Sequence, residues 1–168
     1  MTTVAAEIRF AELRDADALA AVHEASWLGA YRGIIPHRCL AQMIGRRDAG
    51  WWTRTLRSGA GILVVDFGGK TVGYATIGRN RTEAFKAGGE IYEIYLMPEY
   101  QGLGFGGRLF TAARSLLVDR GFKGLVVWAL AENDRAVSFY RSLGGADIAE
   151  GAENFDGRRL AKIAFTWH

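Results

Sequence analysis

Apolar residues in this chain recur with two spacings, and the order of those spacings predicts a mixed α/β fold. Glu7-Ile-Arg-Phe10 alternates polar and apolar side chains and reads as an edge or first strand. Asp15 suits an N-cap, and Leu19 and Val22 with the small Ala18, Ala21 and Ala25 form a helical stripe to about Gly29. After Pro36 a second short helix is expected over His37 to Gly45, and Trp51, Trp52 and Leu56 continue a short helix packed under a sheet. Trp27 to Pro36, rich in aromatics and glycine, reads as a loop between the first two helices.

Ile62–Phe67 and Thr71–Ile77 are β-rich runs joined at Gly68-Gly69-Lys70, which predicts a hairpin. Arg79 to Gly89 is polar and reads as a mobile, substrate-side connection into an apolar strand that begins at Glu90 and stops at Pro98-Glu99. Phe105 to Arg120 carries Leu109, Phe110, Ala113, Leu116 and Leu117 at helical spacing, with Gly121 as its end. Leu125–Leu130 is a continuous apolar run, as in a strand covered on both faces. Asn133 can cap the next helix, Asp134 suits its first turn, and Gly144 sits where a left-handed C-cap belongs. Ala146–Glu150 and Leu160–Trp167 close the chain as an antiparallel pair about an Asn154-Phe-Asp156-Gly157 turn. The predicted order is strand, two helices, three strands, helix, strand, helix, two strands.

The junction between the Glu90 strand and the Phe105 helix carries Gly102, Gly104, Gly106 and Gly107 after Gln101. Glycines let a backbone turn with positive φ and approach a ligand closely, and the first-turn N–H groups of the helix that follows have no internal acceptor. Such a junction binds phosphate. Gly102-Leu-Gly104-Phe-Gly-Gly107 formally matches the dinucleotide pattern G-x-G-x-x-G. That motif should follow its strand directly and meet an acidic ribose ligand about 20 residues on. Here Pro98 to Gln101 intervene and the next suitable acid, Glu132, lies too far along, so a nucleotide-dependent oxidoreductase is the weaker alternative. No Gly-Lys-Ser/Thr closes a Walker loop.

A second pattern, Gln101-Gly-Leu-Gly104-Phe-Gly106 after Leu96-Met97-Pro98-Glu99-Tyr100, resembles the Q/R-x-x-G-x-G/A signature of the GNAT superfamily of N-acetyltransferases. Downstream, Asn133-Asp-Arg-Ala136-Val-Ser-Phe139-Tyr140-Arg-Ser-Leu143-Gly144 is similar to that family's N-x-x-A-x-x-F/L-Y-x-x-L-G helix. The resemblance is firm from about Glu90 to Gly145. It is looser over the N-terminal third, where Trp27, Tyr31, Arg32, Gly33 and Ile35-Pro36 resemble one branch of small bacterial members. It implies one N-acetyltransferase domain over residues 1–168. The implied fold is a central mixed, mostly antiparallel sheet of six to seven strands flanked by about four helices.

Composition narrows the surroundings. With 168 residues, 49% hydrophobic and 23% charged, the chain is long enough to bury a real core. A lone cysteine, Cys39, excludes an intramolecular disulfide, and with no Cys/His cluster or signal-peptide pattern a reducing cytoplasm is the expected location and no metal is implied. The longest apolar runs fall below the roughly 18 residues of a membrane span. A net charge of +3 comes from scattered basic residues, with Arg46-Arg47 and Arg158-Arg159 the only adjacent pairs, so nucleic acid is not an expected partner. A mild positive field does favour capture of a polyanionic cofactor, for which coenzyme A qualifies.

Acetyl transfer sets definite chemical demands. A lysine-like amine, with a pKa near 10.4, needs a base or a proton path before it can attack a thioester, and the attack builds an oxyanion. In the family, backbone donors at the end of the central strand hold that oxyanion, here around Leu96 and Met97, while Gln101, Gly102, Leu103, Gly104, Phe105, Gly106 and Gly107 cradle acetyl-CoA. Glu90 and Glu93 are the candidate bases, because apolar surroundings disfavour a charged carboxylate. Glu90 occupies the position where histone-type members keep their base, whereas Glu93 has the opposite pleat parity unless a bulge intervenes. A water relay is the third route. Tyr140 lies seven residues, two helical turns, beyond Asn133; the resemblance assigns it the departing thiolate and assigns Asn133 the pantetheine arm. Trp27 and Tyr31 are candidates for the acceptor wall. The three histidines, His23, His37 and His168, and Cys39 carry no recognisable nucleophile constellation. The acceptor is a small-molecule amine or a protein or peptide amine, with a homodimer compatible and a binding-only acyl-CoA module the second alternative.

Overall fold

The computed structural model describes residues 5–168. Strands β1 (Ala6–Phe10), β2 (Gly61–Phe67), β3 (Lys70–Arg79), β4 (Gly89–Leu96), β5 (Leu125–Leu130), β6 (Ala146–Phe155) and β7 (Arg158–Trp167) form one sheet. Their spatial order is β1-β2-β3-β4-β5-β7-β6. Every pairing is antiparallel except β4 with β5. Five helices flank the sheet: α1 (Ala16–Tyr31), α2 (His37–Arg46), α3 (Ala49–Arg57), α4 (Phe105–Asp119) and α5 (Asp134–Ser142).

The fold matches the expected mixed sheet, and the differences have local causes. Where two helices were expected before β2 there are three, because Asp48 starts a new one by accepting the Trp51 amide at 2.8 Å. Helix α1 does not end at Gly29 but runs through Tyr31, which moves Trp27 and Tyr31 from a loop onto its last turns. The terminal hairpin is longer than expected because Asp156 and Gly157, at φ 50° and 87°, make the two-residue turn suited to strand twist. The Arg79 to Gly89 connection, expected to be mobile, is organised around Asn80. That side-chain amide donates to the carbonyls of Thr82, Phe85 and Ala87 at 3.1, 3.4 and 2.8 Å.

One sheet face packs on α4 and α5 through Ile91, Leu109, Phe110, Val127 and Phe165. The other carries α1 and α3 over Trp52, Val64 and Tyr74, and α1 and α2 over Tyr31, Leu130 and Phe155. A bulge in β4 decides which side chains face which layer. Ile77 pairs with Ile91 while Thr76 pairs with Glu93, so Tyr92 is the extra residue. Past it, Ile94 and Leu96 join Ile91 in the α4 layer, and Glu93 and Tyr95 turn toward α1. The bulge therefore gives Glu90 and Glu93 the same facing, the condition attached to Glu93 from sequence.

Asp15 stands before α1 but does not cap it through its side chain. Its carboxylate instead accepts Arg9 Nη1 and Nη2 at 2.8 and 2.9 Å, the Glu12 amide at 2.7 Å and Thr71 Oγ1 at 3.1 Å, while Arg9 Nε reaches Asp66 at 3.1 Å. This cluster ties β1, β2 and β3 to the start of α1. Hydrogen bonding from Arg9 holds the Asp15 carboxyl down at about 2, below its usual 3.8. A depressed carboxyl stabilises the fold above its unfolded pKa, and that stabilisation disappears as pH falls from about 4 through 2. Asp15→Ala should leave Arg9 with Asp66 as its one carboxylate partner and cost about 3 kcal/mol, and it should flatten the acid limb of a stability–pH curve measured by urea unfolding. An unchanged acid limb would assign that limb to other carboxylates.

Candidate active site

Strands β4 and β5 share only two register pairs, Gly89 with Leu125 and Glu90 with Val126. Beyond them the strands diverge, and a cavity of about 410 Å³ opens between β4, the start of α4, α5 and α1. Met97 donates its amide to Val72 O at 2.9 Å, on the β3 side. Successive residues of an antiparallel ladder turn their amide groups to opposite sides, so the N–H and C=O of Leu96 face the gap. The carbonyl is capped by Ser26 Oγ at 3.0 Å and Gln101 Nε2 at 3.2 Å. The Leu96 N–H is left as the backbone donor presented to the opening.

Gly104 is the N-cap of α4 at φ 87°, and a Cβ there would meet no atom within 4 Å, so only backbone conformation demands glycine. Gly102 shares that state at φ 77°. Open space above left-handed glycines at a helix N-terminus suits a pyrophosphate, and the divergent strands suit an extended arm with its own amides. Gly106 serves differently, since a Cβ there would lie 3.2 Å from the Phe139 ring and push α4 away from α5.

Tyr140 lines the far side of the cavity at 5% exposure, and its hydroxyl makes no protein hydrogen bond among the described residues. Burial pushes the phenol well above its usual value, so it stays protonated and can donate. Asn133 caps α5, its Oδ1 accepting the Ala136 amide at 3.2 Å, and also lines the cavity. Tyr95 on the wall and Tyr31 behind it share a hydroxyl contact of 2.6 Å, and Trp27 packs against both at ring separations of 6.0 and 5.0 Å. Burial raises Tyr31, a shift that hydrogen bonding to Tyr95 and Asn133 opposes.

Of the residues expected at a cofactor site, Leu96, Gln101, Gly102, Gly104, Gly106, Gly107 and Asn133 meet at the cavity. Met97 spends its amide on β3, Leu103 points outward at 61% exposure, and Phe105 is buried against Phe67. Trp27 and Tyr31 stand behind Tyr95 rather than on the wall. Glu90, 1% exposed, accepts Arg81 Nη2 at 2.8 Å and the Arg81 amide at 3.0 Å. It sits six residues before Leu96, roughly 20 Å along the strand, and does not line the cavity. Glu93 is nearer but is held by Arg47 Nη1 and Tyr74 Oη, each at 2.8 Å.

His23 is buried against Trp27 and Trp52 with neither ring nitrogen bonded among the described residues, and burial drives it down to about 3. Cys39 is buried between α2 and the β6–β7 end, and burial raises its thiol. Among the described residues no His/Cys/Asp/Glu cluster could hold a metal, and no helix is long and apolar enough to cross a membrane. Sequence reasoning missed Ser26, Ala30, Tyr95, Arg135 and Phe139 as cavity residues. Tyr95 carried a signal, being one strand residue before the Leu96 donor. Ser26 carried none beyond a polar residue within an apolar stripe.

Residues 20–144 match the sequence model of the Acetyltransferase (GNAT) family. The chain is 32% identical over 162 residues to the "Uncharacterized N-acetyltransferase YuaI" of Bacillus subtilis, covering 95% of this chain and 91% of that protein. It is 33% identical over 138 residues to a mycothiol acetyltransferase of Arthrobacter, covering 78% of this chain and 43% of that protein. Among solved structures, the PaiA N-acetyltransferase of Thermoplasma acidophilum in complex with coenzyme A superposes with a TM-score of 0.76 at 20% identity, covering 97% and 99% of the two chains. YncA of Salmonella typhimurium, solved with acetyl-CoA, gives 0.72 at 23% identity, covering 97% and 93%.

The cradle geometry carries a prediction. Acetyl-CoA at a hundredfold excess over its dissociation constant should add about 2.7 kcal/mol of stability, several degrees in a thermal melt, whereas NAD should add much less. Gly104→Val should remove most of that shift, because a β-branched residue resists φ 87° at the head of α4. A full shift in the variant would place the phosphates elsewhere.

Proposed function

The chain belongs to the GNAT acetyltransferase family and is an acetyl-CoA-dependent N-acetyltransferase, and from that premise we propose that it acetylates a primary amine by direct attack within a ternary complex. The observation that carries this reading is the parting of β4 from β5 after two register pairs, with the Leu96 N–H at its mouth, α4 heading one end and Tyr140 the other. We read the whole chain as one N-acetyltransferase domain and keep the cytoplasmic location expected from its unpaired thiol.

Acetyl-CoA supplies the activated acetyl thioester. The protein's part is to hold and polarise it. Gly102, Gly104 and the first amides of α4 bind the phosphates, and the gap-facing amide groups of β4 accept the extended arm. The Leu96 N–H stabilises the developing oxyanion; such donors are worth about 2.7 to 4 kcal/mol in other acyl-transfer enzymes. Tyr140 gives its proton to the departing sulfur. Asn133 positions the arm.

The proton of the incoming amine is the step on which the sequence candidates divide. Neither Glu90 nor Glu93 lines the cavity, and each is held by an arginine. That arrangement supports the water relay, with the amine arriving neutral. For the acceptor, relatives named for mycothiol and for thialysine support a small amine, without excluding a peptide amine. Coenzyme A release from acetyl-CoA, measured with a panel of thialysine, polyamines and peptides with free N-termini, tests the reading; no release with any of them would favour a binding-only module.

Tyr140→Phe should keep the fold and acetyl-CoA binding, because ring volume is preserved. General acids contribute about 10²- to 10⁴-fold, and a thiol with a pKa near 8.5 leaves with little help, so kcat should fall about a hundredfold. Because burial holds the phenol protonated, the unaltered enzyme should show no loss of kcat from Tyr140 ionisation up to about pH 9. Unchanged kcat in the variant would remove Tyr140 from the chemistry.

A further inference from the structure

An attacking amine reacts only when one of its N–H groups is held so that the nitrogen lone pair meets the thioester carbon, so the cavity must present a hydrogen-bond acceptor close to Leu96. The Leu96 carbonyl is the nearest backbone oxygen, but both its lone pairs are engaged, by Ser26 Oγ at 3.0 Å and Gln101 Nε2 at 3.2 Å. Asn133 Oδ1 is turned into the first turn of α5, and the Tyr95 hydroxyl is turned to Tyr31. Ser26 is different. It is 3% exposed, it lines the cavity, and its one hydrogen goes to Leu96, which leaves two lone pairs on an oxygen adjoining the oxyanion donor.

The side chain is also unusual for its place in a helix. A serine within a helix commonly returns its hydroxyl to the carbonyl a turn earlier. Ser26 instead reaches across to β4, which fixes the hydroxyl rotor and therefore the direction of its lone pairs.

We propose that Ser26 Oγ is the acceptor that orients the attacking amine, a catalytic contact that rests on the acetyl-transfer reading. A neutral primary amine donates one N–H to Ser26 Oγ while the Leu96 N–H holds the thioester oxygen. The N–C bond forms and the C–S bond breaks. One proton leaves nitrogen for water, and one reaches sulfur from Tyr140, whose phenol is then reprotonated from solvent. A single residue, Leu96, thereby sets both nucleophile and electrophile, through its N–H directly and through its carbonyl by way of Ser26.

The test compares Ser26→Ala and Ser26→Cys with the unaltered protein on whichever amine of the panel it acetylates fastest. Alanine offers no acceptor and a thiol offers a weak one of similar size. Both variants should melt within a few degrees of the parent and bind acetyl-CoA within about twofold, while kcat/KM for the amine falls about tenfold or more. The loss in Ser26→Ala should be the smaller if the freed Leu96 lone pair takes over part of the role. Unchanged kcat/KM in both variants overturns the proposal. So does a loss matched by weakened acetyl-CoA binding, which would make Ser26 a brace for Leu96 only. Absence of amine-dependent coenzyme A release by the unaltered protein is a separate result, which overturns the acetyl-transfer reading and this contact with it.

Discussion

A sheet that stops pairing in its own interior is the constraint on which the rest of this structure depends. Buried backbone N–H and C=O groups are costly when unpaired, so strands β4 and β5 can diverge after two pairs only if something else satisfies the exposed edges. Two side chains from outside the sheet meet part of that demand. Ser26 comes from α1 and Gln101 from the loop before α4, and both donate to the Leu96 carbonyl. The remaining gap-facing groups are open to a ligand that carries its own amides, so the cavity and the irregularity of the fold are one feature.

The bulge at Tyr92 is the second half of the same device. Without it, Ile91 and Ile94 would face opposite layers, and β4 could not keep one apolar side against α4 along its length. With it, Glu90 and Glu93 both turn to the α1 side, where each meets an arginine. Burying a carboxylate with such a partner limits its desolvation cost and also ties it up. Among the described residues, the same layer leaves His23, the Trp27 and Trp52 indoles and Thr76 Oγ1 without protein partners.

Much of the site was legible in sequence because its motifs are local. Left-handed glycines, a helix cap and a tyrosine two turns further on each act within a few residues of one another: spacing marked Gln101 to Gly107 as an anion cradle, and resemblance to a family motif supplied the roles expected of Asn133 and Tyr140. The splay was not legible, since it is a missing pairing between strands some 35 residues apart, and absent hydrogen bonds leave no mark on either strand's pattern. The ion pair of Glu90 was not legible for a related reason: its partner, Arg81, comes from a loop whose order is set by Asn80 rather than by any periodicity. Trp27 and Tyr31 were assigned to a loop because Gly29 looked like a helix stop. Glycine there instead lets α1 approach Pro98, with only 3.3 Å available to an added Cβ.

The chemistry of the cavity wall says which form of the acceptor it admits. Its ionisable members are Tyr95, Arg135 and Tyr140, with no carboxylate to stabilise an ammonium. A protonated amine would give up its hydration near a guanidinium and two phenols held neutral by burial, which is unfavourable on both counts. A neutral amine meets no such penalty and finds oxygens able to accept its N–H groups. Selection of the neutral form at the wall makes a strong internal base unnecessary, because deprotonation then belongs to the solvent equilibrium before entry. Rate should follow the fraction of acceptor that is uncharged, so an amine of lower basicity loses less to protonation at neutral pH, and the site's discrimination among acceptors includes their pKa as well as their shape.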